Sequence, residues 1–488
     1  MALPNPPPER SPTSATHAPR KWYVLAAVST GAFLATVMAT SINVATPTLV
    51  RVFDTDFALV QWVVLSYLLT NVTLLLSIGR LADMLGKKPL FIAGFVIFTL
   101  GSLLCSLSPS IYWLIGFRAV QGLGSALLTA LGLAIVTEAF PDEERGKAIG
   151  VSGSVLSSGV VIGPTLGGFL LDALSWQWVF LFNVPLGVLG TLLALRFIPF
   201  SKPKGGQRFD LVGAAVLFVS LTATLLALTQ GQRSGFAAPA VLGLLALGGV
   251  TLALFVVIER KAPQPMLELS IFKNTLLSIG LITGFATFVA ISGTIFLMPF
   301  YLENIRGYTP RNVGLLMAVV PVVLVVIAPI SGALSDRFGT RPITVIGLVA
   351  ILGGYLAIGT LSETTTALGY ILRFLPLGIG MGTFQSPNNS AIMGSVSRER
   401  LGVAGGLLTM TRTFGATAGI AVLGALWAAR VAARAGEGVS TTLASRAAQM
   451  AGLRDMVSAI QLIILLALLL SIWGLIKARR EEALEPVG

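Results

Sequence analysis

Fourteen stretches of this chain are apolar for about 20 residues or more, the length needed to cross roughly 30 Å of hydrocarbon at 1.5 Å per residue. They lie at roughly 23–47, 59–79, 89–108, 111–138, 147–171, 178–198, 210–230, 238–258, 275–302, 312–334, 342–361, 366–394, 403–429 and 456–476. Nothing else in the sequence limits the fold as strongly. The prediction is an all-α polytopic membrane protein with 14 transmembrane helices. Composition agrees, since 55% of the 488 residues are hydrophobic and 11% charged, against about 25% charged in a soluble domain.

The formal charge of +12 would point to nucleic acid in a soluble protein. Here the basic residues sit in short connections between apolar runs, so a nucleic-acid partner is not expected and the bilayer is. Of 33 Lys and Arg residues, 22 fall in the tails and one alternate set of loops, eight in the other set, and Arg118, Arg373 and Arg412 inside spans. The positive-inside rule then places both termini in the cytoplasm. Cys105 is the single cysteine, which excludes an intrachain disulfide and a cysteine metal site. His17, the single histidine, lies in the polar tail, which excludes a histidine relay in the membrane. With no buried acid pair and no nucleophile–base pair, an enzyme is not expected, nor is a cofactor or a metal.

Residues 1–20 are rich in Pro, Ser and Thr and read as a disordered tail rather than a cleaved signal. Beyond them the chain repeats itself. "GRLADMLGKK" (79–88) returns as "GALSDRFGTR" (332–341), and "RAVQGLGSAL" (118–127) returns more weakly as "RFLPLGIGMG" (373–382). Both copies follow even-numbered spans, so the repeats are parallel, an arrangement used by transporters with a site between two halves. The predicted division is a six-helix half at 21–200, two inserted helices with their flanks at 201–262, a second six-helix half at 263–478 and a tail at 479–488.

These motifs, in this order, resemble the major facilitator superfamily, and within it the fourteen-helix drug:proton antiporters of bacteria. The resemblance implies a cytoplasmic latch between the halves, built on Gly79, Asp83, Gly86, Lys87 and Lys88, with Asp336, Arg337 and Arg341 as its mirror and Arg412 at the gate. It implies for Arg118, with Gln121 one turn away, a part in proton transfer or cavity polarity; a structural arginine bonded to backbone carbonyls is the alternative reading. "GSVLSSGVVIGPTLGG" (153–168) resembles the antiporter motif of the fifth helix, with Gly159, Gly163, Pro164, Gly167 and Gly168 forming a face with almost no bulk. Gln385, Asn388 and Asn389 place amides in the twelfth span, where they are costly unless they line a cavity.

The stretch "FLATVMATSINVATP" (33–47) carries hydroxyls and an amide but no charge. Related proteins carry an aspartate here, and aligning "NVATP" puts Met38 in its place. Met38, Ser41 and Asn43 are therefore read as cavity wall. Every one of the 21 acids falls in a loop, a tail or the last turn of a span, and Glu303, Asp172 and Glu138 are the remaining candidates to carry a coupling proton. With Arg118 and Arg373 in the membrane, the cavity reads as basic, better suited to anionic or amphiphilic cargo than to dications. The expectation is a monomeric transporter of the bacterial inner membrane that exports a hydrophobic or amphiphilic small molecule, drug-like or lipid-like, in exchange for protons. A lipid or lysolipid translocase and a non-transporting sensor or scaffold are the alternatives.

Overall fold

The computed structural model describes residues 18–200, 210–262, 272–396, 401–436 and 439–484. Most of the 1–20 tail, the 201–209 connection, the 263–271 lead-in to the second half and the last four residues lie outside the described residues.

Among the described residues, fourteen helices are long and apolar enough to cross a membrane. They are α1 (Ala18–Val52), α2 (Phe57–Leu85), α3 (Lys87–Ser106), α4 (Ile111–Ala139) and α5 (Asp142–Ala173), then α6 (Trp178–Phe197), interrupted at Phe182. The inserted pair is α7 (Leu211–Ser234) and α8 (Pro239–Lys261). The second half comprises α9 (Thr275–Ile305), whose last turn is a π-helix over Tyr301–Ile305, and α10 (Pro310–Phe338), broken at Ala318. It continues with α11 (Thr340–Ile358), α12 (Ala367–Gly394), α13 (Leu401–Ala435) and α14 (Arg446–Leu484). The connection after α13 holds turns rather than a separate surface helix among its described residues, and Arg434 bonds Asp455 across it at 2.8 Å.

The helices traverse the bundle alternately. One end collects the described termini and most of the Lys and Arg residues and is called the basic end; the other is the far end. The repeat is visible in the backbone. The α2–α3 turn passes through Gly86 at φ 90° and the α10–α11 turn through Gly339 at φ 87°, a left-handed conformation that residues with a Cβ resist.

Within each half, glycines let backbones touch, as expected where lipid gives no hydrophobic drive between helices. A Cβ on Gly94 would stand 2.9 Å from Leu127 Cβ, and one on Gly101 2.9 Å from Gln121 Cα, joining α3 to α4. Their counterparts Gly347 and Gly354 join α11 to α12, with Phe384 N at 2.6 Å and Leu377 N at 2.7 Å from the same construction. The inserted pair is knit by Ser220, which donates to Gly248 O at 2.8 Å, and docks on α2 through Trp62 Nε1, which donates to Thr229 Oγ1 at 3.1 Å.

One seam sets a measurable contrast. A Cβ on Gly124 would stand 2.7 Å from Phe98 Cα, whereas one on Gly116, on the same helix, meets nothing within 4 Å. Gly124→Val is expected to cost about 1–3 kcal/mol through overpacking, and Gly116→Val to stay near wild type. Thermal unfolding of the two purified variants in detergent measures the difference; equal midpoints would show that the α3–α4 seam is not close-packed.

Candidate functional site

The two halves meet at the far end. On the α5 side, Gly168 faces α10, where a Cβ would stand 3.1 Å from Gly314 Cα, and Pro164 carries its carbonyl against the same glycine. On the opposite side, Phe57 of α2 packs against Phe296 and Phe300 of α9 and Trp427 of α13, with ring centroids 5.6, 5.2 and 4.9 Å away. Gln61 Nε2 donates to Ile420 O at 2.5 Å, and Gln232 of the inserted helix α7 donates to Gln61 Oε1 at 2.9 Å. Between these seams, Arg51 Nη2 of α1 donates to Glu303 Oε2 of α9 at 2.8 Å.

Toward the basic end the same faces separate. An α-helix turns 100° per residue, so positions 18 apart share a face. Gly150 lies 18 residues before Gly168, Gly79 lies 18 after Gln61, and Gly406 lies 18 before Gly424, which packs on Gln61. Gly150, Gly79 and Gly406 meet nothing within 4 Å, and neither do Gly146 and Gly153. The halves are pinned at the far end and parted at the basic end.

The described residues of the predicted latch do not join the halves there. Asp83 is half-buried and Asp336 exposed, and among the described residues neither forms an ion pair. Lys87 pairs with Glu138 and Lys88 Nζ donates to Leu195 O at 2.9 Å, both inside the N-terminal half. Arg337 lies over Phe338 of its own helix, at 5.4 Å, and Arg341 is half-buried. Arg412 is not at this gate. It lies eight residues inside the span that begins at Ala404, so its assignment to the latch is corrected.

The hydroxyl-rich stretch of α1 also needs correction, because its stripe faces α5 rather than an open path. A Cβ on Gly159 would stand 3.1 Å from Thr36 Cβ, one on Gly163 would overlap Thr40 Oγ1, and one on Gly167 would stand 3.0 Å from Ser41 Cβ. Threonine and serine are small enough for that approach; Thr36 donates to Ala32 O at 2.7 Å and Thr40 to Thr36 O at 2.9 Å, while Ser41 Oγ is buried with no partner among the described residues. Met38 is fully buried, with Asn183 Nδ2 of α6 3.4 Å from its sulfur. Asn43 is buried and donates to Ala39 O at 3.1 Å. None of Met38, Ser41 and Asn43 stands on an open wall.

Arg118 and Gln121 are likewise fully buried, between α2, α3 and α4. Arg118 Nε donates to Val63 O at 2.8 Å, Nη1 to Gln121 Oε1 at 2.5 Å, and the guanidinium lies 4.2 Å from the Tyr67 ring centre. Gln121 passes the chain to Ser102 Oγ at 2.6 Å, and Tyr67 Oη donates to Ser125 Oγ at 2.6 Å. An isolated buried charge is very costly, and this network is what makes the arginine tolerable. Arg373 lies at the far end, donating to Thr360 Oγ1 at 2.8 Å and Gly369 O at 3.0 Å. Both arginines bond within their own halves.

The amides predicted in the twelfth span are in the C-terminal half. Asn388 is buried and donates to Gly280 O at 3.1 Å, while Asn389 and Gln385 are half-buried. Arg412 Nη2 of α13 donates to Asn389 Oδ1 of α12 at 2.8 Å, across the front of α9. Of the three acids named for proton coupling, two are displaced. Glu138 is half-exposed in its surface pair with Lys87, and Asp172 is exposed. Glu303 has a side chain only 4% exposed, and its Oε1 is buried with no partner. Sequence reasoning missed Arg51 as its partner, as well as Gly314 and the Phe57 cluster. The juxtaposition of opposite charges on far-end loops was the available signal for the first; the others depend on which faces meet.

The sequence profile of the Major Facilitator Superfamily matches residues 28–420, and this chain belongs to that superfamily. It is a multi-pass membrane transporter. Among its relatives, a riboflavin transporter of Clostridioides difficile is 34% identical over 415 residues, covering 84% of this chain and 89% of that one. The multidrug resistance protein Stp of Mycobacterium tuberculosis is 35% identical over 411 residues, covering 84% and 76%. Among solved structures, a bacterial homolog of the human lysosomal transporter Spinster superposes with TM-score 0.65 at 18% identity, over 94% of this chain and 97% of that one. A POT family transporter gives TM-score 0.68 at 15% identity, over 92% and 96%.

The parted basic end has a chemical test, helped by the burial of the native Cys105. Gly153→Cys is expected to react with a polar maleimide, while Phe57→Cys, inside the far-end cluster, is protected. Equal labelling of the two would mean that the far-end seam is not closed.

Proposed function

We propose that this transporter exports hydrophobic or amphiphilic small molecules across the bacterial inner membrane by alternating access, with the basic end in the cytoplasm. The observation that carries this reading is the asymmetry of α5: its far-end glycines pack on α10, while the same face lies open toward the basic end. A bundle pinned at one end and parted at the other is one of the two states a rocking mechanism needs. The glycine row on the α1 side of α5 lets that helix move with the N-terminal half as a unit. The excess of Lys and Arg assigns the open end to the cytoplasm, and the multidrug resistance relatives favour export of small molecules.

Exchange for protons is assigned to Glu303. Its carboxylate joins the halves through Arg51 in the far-end-closed state, and one oxygen is left buried without a partner. When Oε2 takes a proton, its attraction for the guanidinium is lost and the seam is free to open; the proton leaves as the pair re-forms. The π-helical turn and Pro299 allow the end of α9 to move without breaking a regular helix.

Proteoliposomes with a panel of amphiphilic dyes and drugs, with and without an imposed pH gradient, test this. Wild type is expected to accumulate substrate against its gradient only with the pH gradient. Glu303→Gln is expected to lose that accumulation and keep substrate exchange at equal concentrations. Accumulation indifferent to pH gradient and potential would remove proton exchange; no movement of any substrate would remove export itself.

A further inference from the structure

Within the span of α13 stands a cation, Arg412, that is only partly buried. On α13, Arg412 lies between the face packed on α9, through Gly415 and Gly419, and the face that leaves the far-end seam toward the gap, where Thr409 is exposed. Among the described residues Arg412 forms no ion pair. Nη2 donates to Asn389 Oδ1 at 2.8 Å, and Nε is buried with no acceptor. Its guanidinium carbon is 5.5 Å from the Phe288 ring centre, beside the Phe285–Phe414 pair with centroids 5.7 Å apart.

The charge is not needed for packing, since a neutral residue would avoid the cost of desolvating it. Nor is it matched from the opposite half. Asp83 and Glu138 are at the basic end, Asp172 at the far end, and Glu303 is held there by Arg51. Arg118 shows what a purely internal arginine looks like in this protein: fully buried, tied to a carbonyl, an amide and a ring. Arg412 instead is only partly buried, with Nη2 on Asn389 and Nε without an acceptor among the described residues. A fork of parallel N–H donors fits a carboxylate, and the three phenylalanine rings offer an apolar bed for the body attached to it.

We propose that Arg412 and Asn389, backed by Phe285, Phe288 and Phe414, form the head-group subsite for an organic anion: a carboxylate on a flat or aromatic apolar body. This deepens the export reading and rests on it. It also replaces Arg118 and Arg373 as the source of the cavity's preference for anions.

The test uses the full-length protein in nanodiscs of zwitterionic lipid and three probes with one body: 1-pyrenebutyrate, its methyl ester and 1-pyrenebutylamine. Wild type is expected to bind the carboxylate at least about tenfold more tightly than either of the others, the loss of a strong charge-assisted contact. Arg412→Gln is expected to abolish the preference, Arg412→Lys to keep part of it, and Asn389→Ala to weaken carboxylate binding severalfold. Arg430→Gln, on the far-end surface, is expected to change nothing. Equal binding of the three probes by wild type overturns the proposal without any variant, as does a preference that survives in Arg412→Gln. If pyrenebutyrate is exported by the proton-driven route and Arg412→Gln exports it unchanged, the subsite falls and the exporter reading stands. If the anion preference is present but nothing moves in proteoliposomes, the subsite stands and the export reading falls.

Discussion

Close approach of α5 to its two neighbours is the constraint on which the rest of this structure depends. One face of the helix meets α1 through Gly159, Gly163 and Gly167, and another meets α10 of the opposite half through Pro164 and Gly168. In lipid no hydrophobic force draws helices together, so contact comes from backbone approach and from hydrogen bonds between buried groups. The first seam holds α5 to its own half along its length. The second is confined to the far end, which is why it can act as a pivot rather than a weld.

The placement of charge follows from the same solvent. Carboxylates have been kept out of the middle of the bundle among the described residues, and the three embedded arginines have separate physical solutions. Arg118 is enclosed in its own half, with Nε and Nη1 on oxygen acceptors, a ring against the guanidinium and Nη2 buried without a partner among the described residues, and Arg373 bonds hydroxyl and carbonyl oxygens at the far end. Arg412 is left half-satisfied beside the gap. A buried group without a full set of partners costs energy. Glu303 is the acidic counterpart at the far end, where its pairing with Arg51 joins the two halves.

The inserted helices take part in this closure instead of standing apart. Gln232 of α7 bonds Gln61 of α2, which in turn bonds Ile420 O of α13. Three parts of the chain therefore share one buried hydrogen-bond chain at the far end, and opening that end must break or exchange it.

Length and polarity along the chain determined the fourteen helices, their alternation and the parallel repeat, because apolar runs of about 20 residues and a turn glycine such as Gly86 or Gly339 have few other solutions. The same reasoning found the glycine face of α5. It read Met38, Ser41, Asn43 and Gln121 as cavity candidates and left Arg118 between a cavity role and an internal one, since a polar or charged residue in a span must face something other than lipid, and a neighbouring helix satisfies that demand as well as a cavity does. Which of the two it faces is decided by helix rotation and by which helices become neighbours. Only the tertiary structure set the hydroxyls of α1 against glycines, enclosed Arg118 in its own half, joined Arg51 to Glu303 across 252 residues of chain, and left Arg412 at the gap.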